Sequence, residues 1–196
     1  MLNLDFHPFP ELRTKRLLLR QVLPTDAEAL MKIRGNEEAM RYIPRPRTKT
    51  TEDALTMVDV LTNGINEGKS INWAISNIQN PSEIYGMIGY VNFYPELSKA
   101  EIGYMLHPDY WGKGYVPEAI FEVEKFGFEQ ISLQTIEAKI DLRNDNSRKI
   151  LQRNNYQFDK LLQKEMIFQE EELQTKVAEL FDVNIPFRAS QVPDNY

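Results

Sequence analysis

The sequence predicts one α/β domain built on a mixed sheet, and three observations carry that prediction. Short runs in which apolar residues alternate with others recur at 14–22, 71–76, 84–94, 99–106 and 135–140, which is strand spacing. Between them lie apolar stripes at helical spacing, such as Ala54, Val58, Leu61 and Ile65. One strand, 99–106, passes through a glycine turn into the amphipathic run Val116–Ile131 and on to another strand. Such a crossover lets two strands lie parallel in a sheet whose first half is antiparallel.

Taken in order, residues 14–22 form the first strand. Thr25-x-x-Glu28 has the spacing of a capping box and opens a helix that stops at Gly35. Ile43-Pro44-Arg45-Pro46-Arg47 is a loop, because proline breaks both helix and sheet. Thr50-x-x-Asp53 caps a second helix, which Gly68 ends. Ile71, Trp73 and Ile75 alternate with Asn72, Ala74 and Ser76 in a strand, and Asn80-Pro81-Ser82 turns the chain. Ile84 to Tyr94 is a long strand with Gly86 and Gly89 as candidate bulges, and Pro95–Ser98 leads back into 99–106. The helix after the glycine turn buries Val116, Ala119, Ile120, Val123 and Phe126 and turns Glu118, Glu122, Lys125 and Glu129 outward. Thr135–Ile140 is a strand, Asn146–Asn155 a short helix, and 156–168 and 180–187 closing strands around the charged excursion Gln169–Glu172. For residues 163–178 two readings stay open, a cover over a ligand site and an interface.

Composition narrows the function classes. A chain of 196 residues with 42% hydrophobic and 27% charged residues suits one soluble domain, 1–196, with its core at about 12–188. No apolar run approaches the roughly 20 residues of a membrane helix, and Met1–Asp5 lacks a basic start and an apolar signal core, so the expectation is a cytoplasmic protein without a membrane partner. Without cysteine there is no thiol nucleophile or thiolate metal site, and His7 and His107 are too far apart in sequence to suggest a His-rich one; no metal is expected. The net charge of −6 disfavours nucleic acid as a partner. The local basic cluster Arg41, Arg45, Arg47, Lys49 reads as a solvated loop or as a contact to a phosphate or an acidic substrate.

The chemistry concentrates in Leu106-His107-Pro108-Asp109-Tyr110-Trp111-Gly112-Lys113-Gly114-Tyr115-Val116-Pro117-Glu118-Ala119. Glycines there let the backbone bend and bring N–H groups near a ligand, and the helix start adds unpaired donors and a positive dipole end. That is an anion cradle, most simply for phosphate. A Walker loop fails because Gly114 follows Gly112-Lys113 in place of Ser or Thr, and a Rossmann fingerprint fails because position 117 is Pro.

Trp111-Gly112-Lys113-Gly114-Tyr115 followed by Glu118-Ala119 resembles the coenzyme A loop of the GNAT acetyltransferases, in particular the Rim-type branch that acetylates protein N-termini and other amines. The resemblance spans about Leu12 to Arg188. It includes Thr14–Arg20, Thr25–Leu30, Ala100-Glu101-Ile102-Gly103-Tyr104, and Asn144-Asp145-Asn146-Ser147 with Leu151–Tyr156, in the family's order. It implies the GNAT acyl-CoA N-acyltransferase fold: a strand, two helices, three strands, a helix, a strand, a helix and two strands. It also implies acetyl-CoA as cosubstrate and direct transfer, in a ternary complex, to a primary amine on a protein N-terminus or a small molecule. A non-catalytic CoA-binding or regulatory module stays open as the alternative, and the protein is read as a monomer or homodimer.

The family's cofactor contacts map onto backbone groups of Met105, His107, Trp111, Gly112, Lys113, Gly114, Tyr115 and Val116. They also include Asn144, whose plain reading is a helix N-cap. Glu101 matches an acidic residue that some members use as general base, often through water, with a pKa that half-burial would raise. Ser147 matches a serine proposed as general acid towards the thiolate. Where other branches place a tyrosine this chain has Leu151, which leaves Ser147 or a nearby tyrosine such as Tyr156. Val116-Pro117 departs from the family pattern and removes one N–H donor. Tyr42, Trp73, Tyr90 and Phe93 are candidates for an acceptor pocket, against a plain reading as core.

Overall fold

The computed structural model describes residues 1–166 and 174–184. Its strands are β1 (Leu12–Arg13), β2 (Leu17–Gln21), β3 (Ile71–Asn77), β4 (Ile84–Tyr94), β5 (Lys99–Leu106), β6 (Thr135–Asp141), β7 (Gln157–Met166) and β8 (Gln174–Asn184). They form one eight-stranded sheet in the order β1-β2-β3-β4-β5-β6-β8-β7. Every neighbouring pair is antiparallel except β5 and β6, which run parallel. The helices are α1 (Ala27–Gly35), α2 (Glu37–Met40), α3 (Thr51–Asn66), α4 (Tyr115–Phe126) and α5 (Asp145–Arg153).

Two apolar cores flank the sheet. On one face Leu17, Leu19, Ile71, Trp73, Ile75, Ile88 and Tyr90 pack with Val116, Ala119, Ile120 and Val123 of α4. On the other, Ala74, Met87 and Met105 pack with Leu30 and Ile33 of α1 and Ala54 and Val58 of α3. Burying each large aliphatic side chain contributes about 1.5–3 kcal/mol, so strand alternation fixes which face each helix covers.

Several local expectations change. The first strand, expected over 14–22, is confined to β2 at Leu17–Gln21, and a separate short strand, β1, precedes it at Leu12–Arg13. The capping box at Thr25–Glu28 does not form: a 3₁₀ turn occupies Pro24–Asp26, and Asp26 is drawn away from α1 by a two-pronged ion pair with Arg20 at 2.8 Å. The box at Thr50 does form, with Asp53 N–H donating to Thr50 Oγ1 (3.1 Å) and Thr50 N–H to Asp53 Oδ2 (2.9 Å). Gly86 and Gly89 pair regularly; the extra residues are Tyr85, opposite β3, and Val91, opposite β5. The closing strands lie at 157–166 and 174–184, so the second starts earlier than expected, and Gln169–Glu172 lies outside the described residues. Trp73 and Tyr90 are fully buried on the α4 face, with Trp73 Nε1 donating to Pro10 O (2.7 Å) and Tyr90 OH to Val123 O (2.8 Å), which removes them from any acceptor pocket.

Candidate active site

β5 and β6 pair only over Lys99–Glu101 with Thr135–Glu137. Beyond Glu101 the two strands part, and the gap opens towards the glycine loop after β5 and the start of α5 after β6. His107 N–H donates to Tyr85 O at 2.8 Å, which fixes the phase of the β4–β5 ladder. Antiparallel alternation then turns the main chain of Met105 and His107 towards β4 and that of Tyr104 and Leu106 towards the gap. The expected backbone contacts at Met105 and His107 are therefore corrected by one residue: their donors face a neighbouring strand, and Tyr104 and Leu106 border the opening.

The loop carries the predicted cradle. Gly112 (φ 73°) and Gly114 (φ 75°) are left-handed, and Gly114 is the N-cap of α4. A side chain at φ > 0 is strained, so glycine is required to curl the chain here. The N–H groups of Gly112, Lys113 and Gly114 meet no protein acceptor among the described residues, and those of Tyr115 and Val116 lie in the first helical turn, where none is available. Trp111 departs from expectation. Its N–H is taken by Pro108 O (3.0 Å) and its indole donates to Leu106 O (3.0 Å), so the free donors begin at Gly112. Pro117 is the third residue of α4, where a missing N–H breaks no helical bond. Lys113 is exposed, with Nζ 5.3 Å from the centre of the Tyr110 ring.

The loop is anchored by a residue that helical periodicity assigned to solvent. The Glu118 side chain is only 9% exposed. Its carboxylate accepts from Thr14 Oγ1, from Arg16 N–H (3.0 Å) and from Arg16 Nε (2.6 Å). Arg16 in turn donates from Nη1 to Lys113 O (2.9 Å) and lies 4.7 Å over the Tyr115 ring. A carboxylate in the first turn of α4 would repel an anion at the cradle; Arg16 neutralises it and ties the loop to the start of β2. Tyr85 stacks on both Tyr110 (4.2 Å) and Tyr115 (4.8 Å) and presses the loop onto the sheet. Burial is the main cause that pushes the Tyr85 phenol up to about 12.

Glu101 is the last residue of β5 paired to β6, at the base of the gap and on the face away from α4. It is not in apolar surroundings. Its Oε2 accepts from Lys139 Nζ (2.6 Å), Asn92 Nδ2 (3.1 Å) and Tyr94 OH (3.2 Å). Lys139 also reaches buried Glu137 (3.0 Å), which holds Lys99 at 2.7 Å. Burial alone would lower the Lys139 pKa, but the hydrogen bonds it donates to Glu101, Tyr94 and Glu137 outweigh it and raise it. Burial would likewise raise Glu137, but Lys99 and Lys139 hold it below its ordinary value. The result is a charge-balanced network of two lysines and two glutamates.

Across the gap, Asn144 Oδ1 accepts from Ser147 N–H (3.1 Å), so Asn144 is the N-cap of α5 and keeps its amide nitrogen for other partners. Ser147, half-buried in the first turn, interacts with the Tyr104 hydroxyl, though too loosely for a well-formed hydrogen bond. The basic cluster is dispersed: Arg47 pairs with Glu37 (3.3 Å), while Arg41, Arg45 and Lys49 are exposed. Tyr42 lies 5.9 Å from the Arg143 guanidinium, at the β6 side of the gap.

A second missed acid, Glu124 of α4, is 3% exposed, and burial raises its pKa from 4.5 to about 8, against a smaller lowering effect of the Tyr156 hydroxyl. Between those values the folded protein holds a proton that the unfolded chain has released. Stability therefore falls as pH rises from about 4.5 to about 8, then levels off. Glu124→Gln removes this slope. Thermal scans should show the variant melting several degrees above the parent at pH 8, with the gap closing at about pH 5.

Among the described residues no group of three or more His, Asp or Glu side chains could hold a metal ion, and no helix is long and apolar enough to cross a membrane. The chain matches the acetyltransferase (GNAT) domain family over residues 16–157. An uncharacterized N-acetyltransferase of Bacillus subtilis (strain 168), YoaA, is 32% identical over 158 residues, 81% of this chain and 89% of that protein. An uncharacterized N-acetyltransferase of Bacillus licheniformis, p20, is 30% identical over 151 residues, 77% of this chain and 84% of that protein. Among solved structures, RimL, a ribosomal L7/L12 alpha-N-protein acetyltransferase in complex with coenzyme A, superposes with TM-score 0.77 at 16% identity, covering 90% of this chain and 98% of its own. The microcin C7 self-immunity acetyltransferase MccE, in complex with acetyl-CoA and AMP, gives TM-score 0.77 at 18% identity over 88% of this chain and 94% of its own. With the cradle at Gly112–Val116, the parted β5 and β6 and this match over most of its length, the chain belongs to the GNAT family of acetyltransferases, acyltransferases that draw on acetyl-CoA.

Proposed function

We propose that this protein transfers the acetyl group of acetyl-CoA directly to a primary amine, on a protein N-terminus or a small molecule, within a ternary complex. The observation that carries this reading is the parting of β5 from β6 immediately beyond Glu101, flanked by unpaired loop donors on one side and Ser147 on the other. The N–H groups from Gly112 to Val116 and the helix dipole suit a pyrophosphate. Tyr104 and Leu106 offer main-chain groups to an extended amide-bearing arm, and the Asn144 amide adds a donor. The cosubstrate brings an activated acyl group, so no protein nucleophile is required. The Rim-type neighbour acts on a ribosomal protein's α-amine, which supports a protein N-terminus as acceptor.

In this reading Glu101 removes the amine proton, directly or through water, with Lys139, Tyr94 and Asn92 fixing Oε2 so that Oε1 faces the reaction. Ser147 supplies a proton to the departing sulfur. Glu101→Gln should lower kcat about 100-fold with the fold intact, because Lys139 keeps Glu137 as its partner. The test is CoA release from acetyl-CoA on a panel of N-terminal peptides, polyamines and amino acids. Turnover of one class that collapses in Glu101→Gln supports the reading. Turnover unchanged in the variant removes Glu101 from it, and failure of the whole panel removes the transfer itself.

A further inference from the structure

Of the buried side-chain polar atoms that lack a hydrogen-bond partner among the described residues, one belongs to a cation: Arg34 Nε, near the end of α1. A charged group drawn out of water is costly unless an anion or a set of acceptors meets it. Helical spacing explains its position. Ala27 and Leu30 lie on the inner stripe of α1, and that stripe continues at position 34, so the arginine stands where another apolar residue would. Burial first, and the charge of Arg45 second, hold the guanidinium below its ordinary pKa.

The loop between α2 and α3 closes down on this turn of α1. Thr48 N–H donates to Arg34 O at 3.2 Å, and a Cβ on Gly35 would lie 2.8 Å from Thr48 O. The same loop carries Tyr42, 5.9 Å from the Arg143 guanidinium at the β6 side of the gap, and the exposed Arg41 and Arg45. Residues 34–49 hold five cations against two carboxylates, in a chain whose net charge is −6. Of the two, Glu37 is taken by Arg47 and Glu38 is exposed. This positive surplus lies on the Glu101 face of the sheet. Met105, four residues along β5 from Glu101 and so on the same face, packs in one core with Leu30 and Ile33 of α1. The phosphate cradle is at the start of α4, on the opposite face. The surplus therefore stands beside the path to Glu101 from the α1 side, away from where the cradle would hold the cosubstrate's phosphates.

We propose that Arg34, with Arg45 of the loop closed over it, is an anion subsite for the acetyl acceptor, so that the acceptor is a primary amine that also carries a carboxylate or phosphate group. The inference deepens the acceptor side of the transfer proposed above and rests on it. A planar guanidinium presents its donors as a fork that matches either anion in a two-pronged contact, and partial exclusion of water strengthens that contact. Near Glu101 the two lysines are already held by Glu101 and Glu137, which leaves the anion to the arginines.

Two measurements on the full chain test this, and the first needs no turnover. Arginine Nε–H resonances, with the Arg34 signal assigned by its loss in Arg34→Lys, are followed while N-acetylglycine, inorganic phosphate or neutral N-acetylglycinamide is added. The Arg34 signal should move saturably with N-acetylglycine, with phosphate or with both, the tighter of the two naming the anion, and should stay still with N-acetylglycinamide. No movement with either charged probe overturns the proposal. The second measurement compares acceptors in matched pairs: glutamate- against glutamine-containing N-terminal peptides with amidated ends, and an aminoalkyl phosphate against the amino alcohol. The acidic member of the pair that binds should have kcat/KM about 10- to 100-fold higher. Arg34→Gln should bring it down to the level of the neutral member through KM with kcat held, and Arg34→Lys should recover part of the loss. Arg45→Gln, at an exposed position that does not put folding at risk, should cost about threefold. Equal turnover of both members of each pair, unchanged in Arg34→Gln, overturns the subsite while the transfer stands. If no acceptor turns over, the transfer reading falls, and the resonance titration alone decides the anion site: a moving Arg34 signal keeps it and a still one removes it.

Discussion

Gly114→Val should reduce acetyl-CoA affinity at least about 100-fold, a loss of about 2.7 kcal/mol of binding free energy. Gly114 sits at φ 75° and is the N-cap of α4. A β-branched residue is an outlier in that conformation, and left-handed backbone costs an ordinary L-residue roughly 1–2 kcal/mol. The chain relieves the strain by rotating out of the left-handed region, which swings the N–H groups of Lys113, Gly114 and Tyr115 off their common focus. Gly112→Ala is the graded control. It also stands at positive φ (73°), but an added Cβ meets nothing within 4 Å, so only the backbone strain acts and about a tenfold loss is expected. Titration calorimetry with acetyl-CoA measures both, and circular dichroism establishes that the variants are folded. Parent-like affinity in Gly114→Val would remove the cradle from the account.

Glu118→Ala should lower stability by roughly 2–4 kcal/mol and the melting temperature by about 6–12 °C. The side chain is 9% exposed and accepts hydrogen bonds from Thr14 and from the backbone and guanidinium of Arg16. Removing it strands a half-buried arginine and leaves two polar groups near β2 without their acceptor, the costly way to break an ion pair. Because the same arginine donates to Lys113 O at 2.9 Å, the loop should also loosen, with acetyl-CoA affinity down about tenfold. Glu118→Gln keeps the shape and one acceptor oxygen, and should lose about half as much stability. A thermal scan separates the two variants. An unchanged melting temperature in Glu118→Ala would mean that the cluster contributes nothing to the fold.

What was readable in the sequence follows the range of the interactions. The glycine loop was legible because its spacing is local: two glycines, an apolar strand before and an amphipathic helix after. The box at Thr50–Asp53 was legible for the same reason, whereas at Thr25–Glu28 a 3₁₀ turn over Pro24–Asp26 takes the place of a helix start and Asp26 accepts from Leu23 N–H and Arg20. Glu118 and Glu124 were assigned wrongly or overlooked because periodicity ranks a carboxylate as solvent-facing. The partner of Glu118 lies about a hundred residues away in sequence, and that of Glu124 follows α5. Lys139 beside Glu101 depends on the parallel register that sets Glu101 against Glu137, which no local pattern encodes. The choice between Met105 with His107 and Tyr104 with Leu106 depends on ladder phase. Side-chain alternation gives the face a residue points to, but not which edge of the strand its N–H addresses.

In the proposed function one structure holds acetyl-CoA: a glycine cradle with free donors, continued by the open edge of β5. Amide hydrogen exchange, resolved by residue and followed with and without acetyl-CoA, tests this most directly. New protection is expected at Gly112 to Val116 and along the gap-facing edge at Tyr104 and Leu106. His107 should change little, because its N–H already bonds to Tyr85 O at 2.8 Å. Saturable binding that leaves the amides of Gly112–Val116 as exposed as before, or no binding by the folded protein, would contradict it.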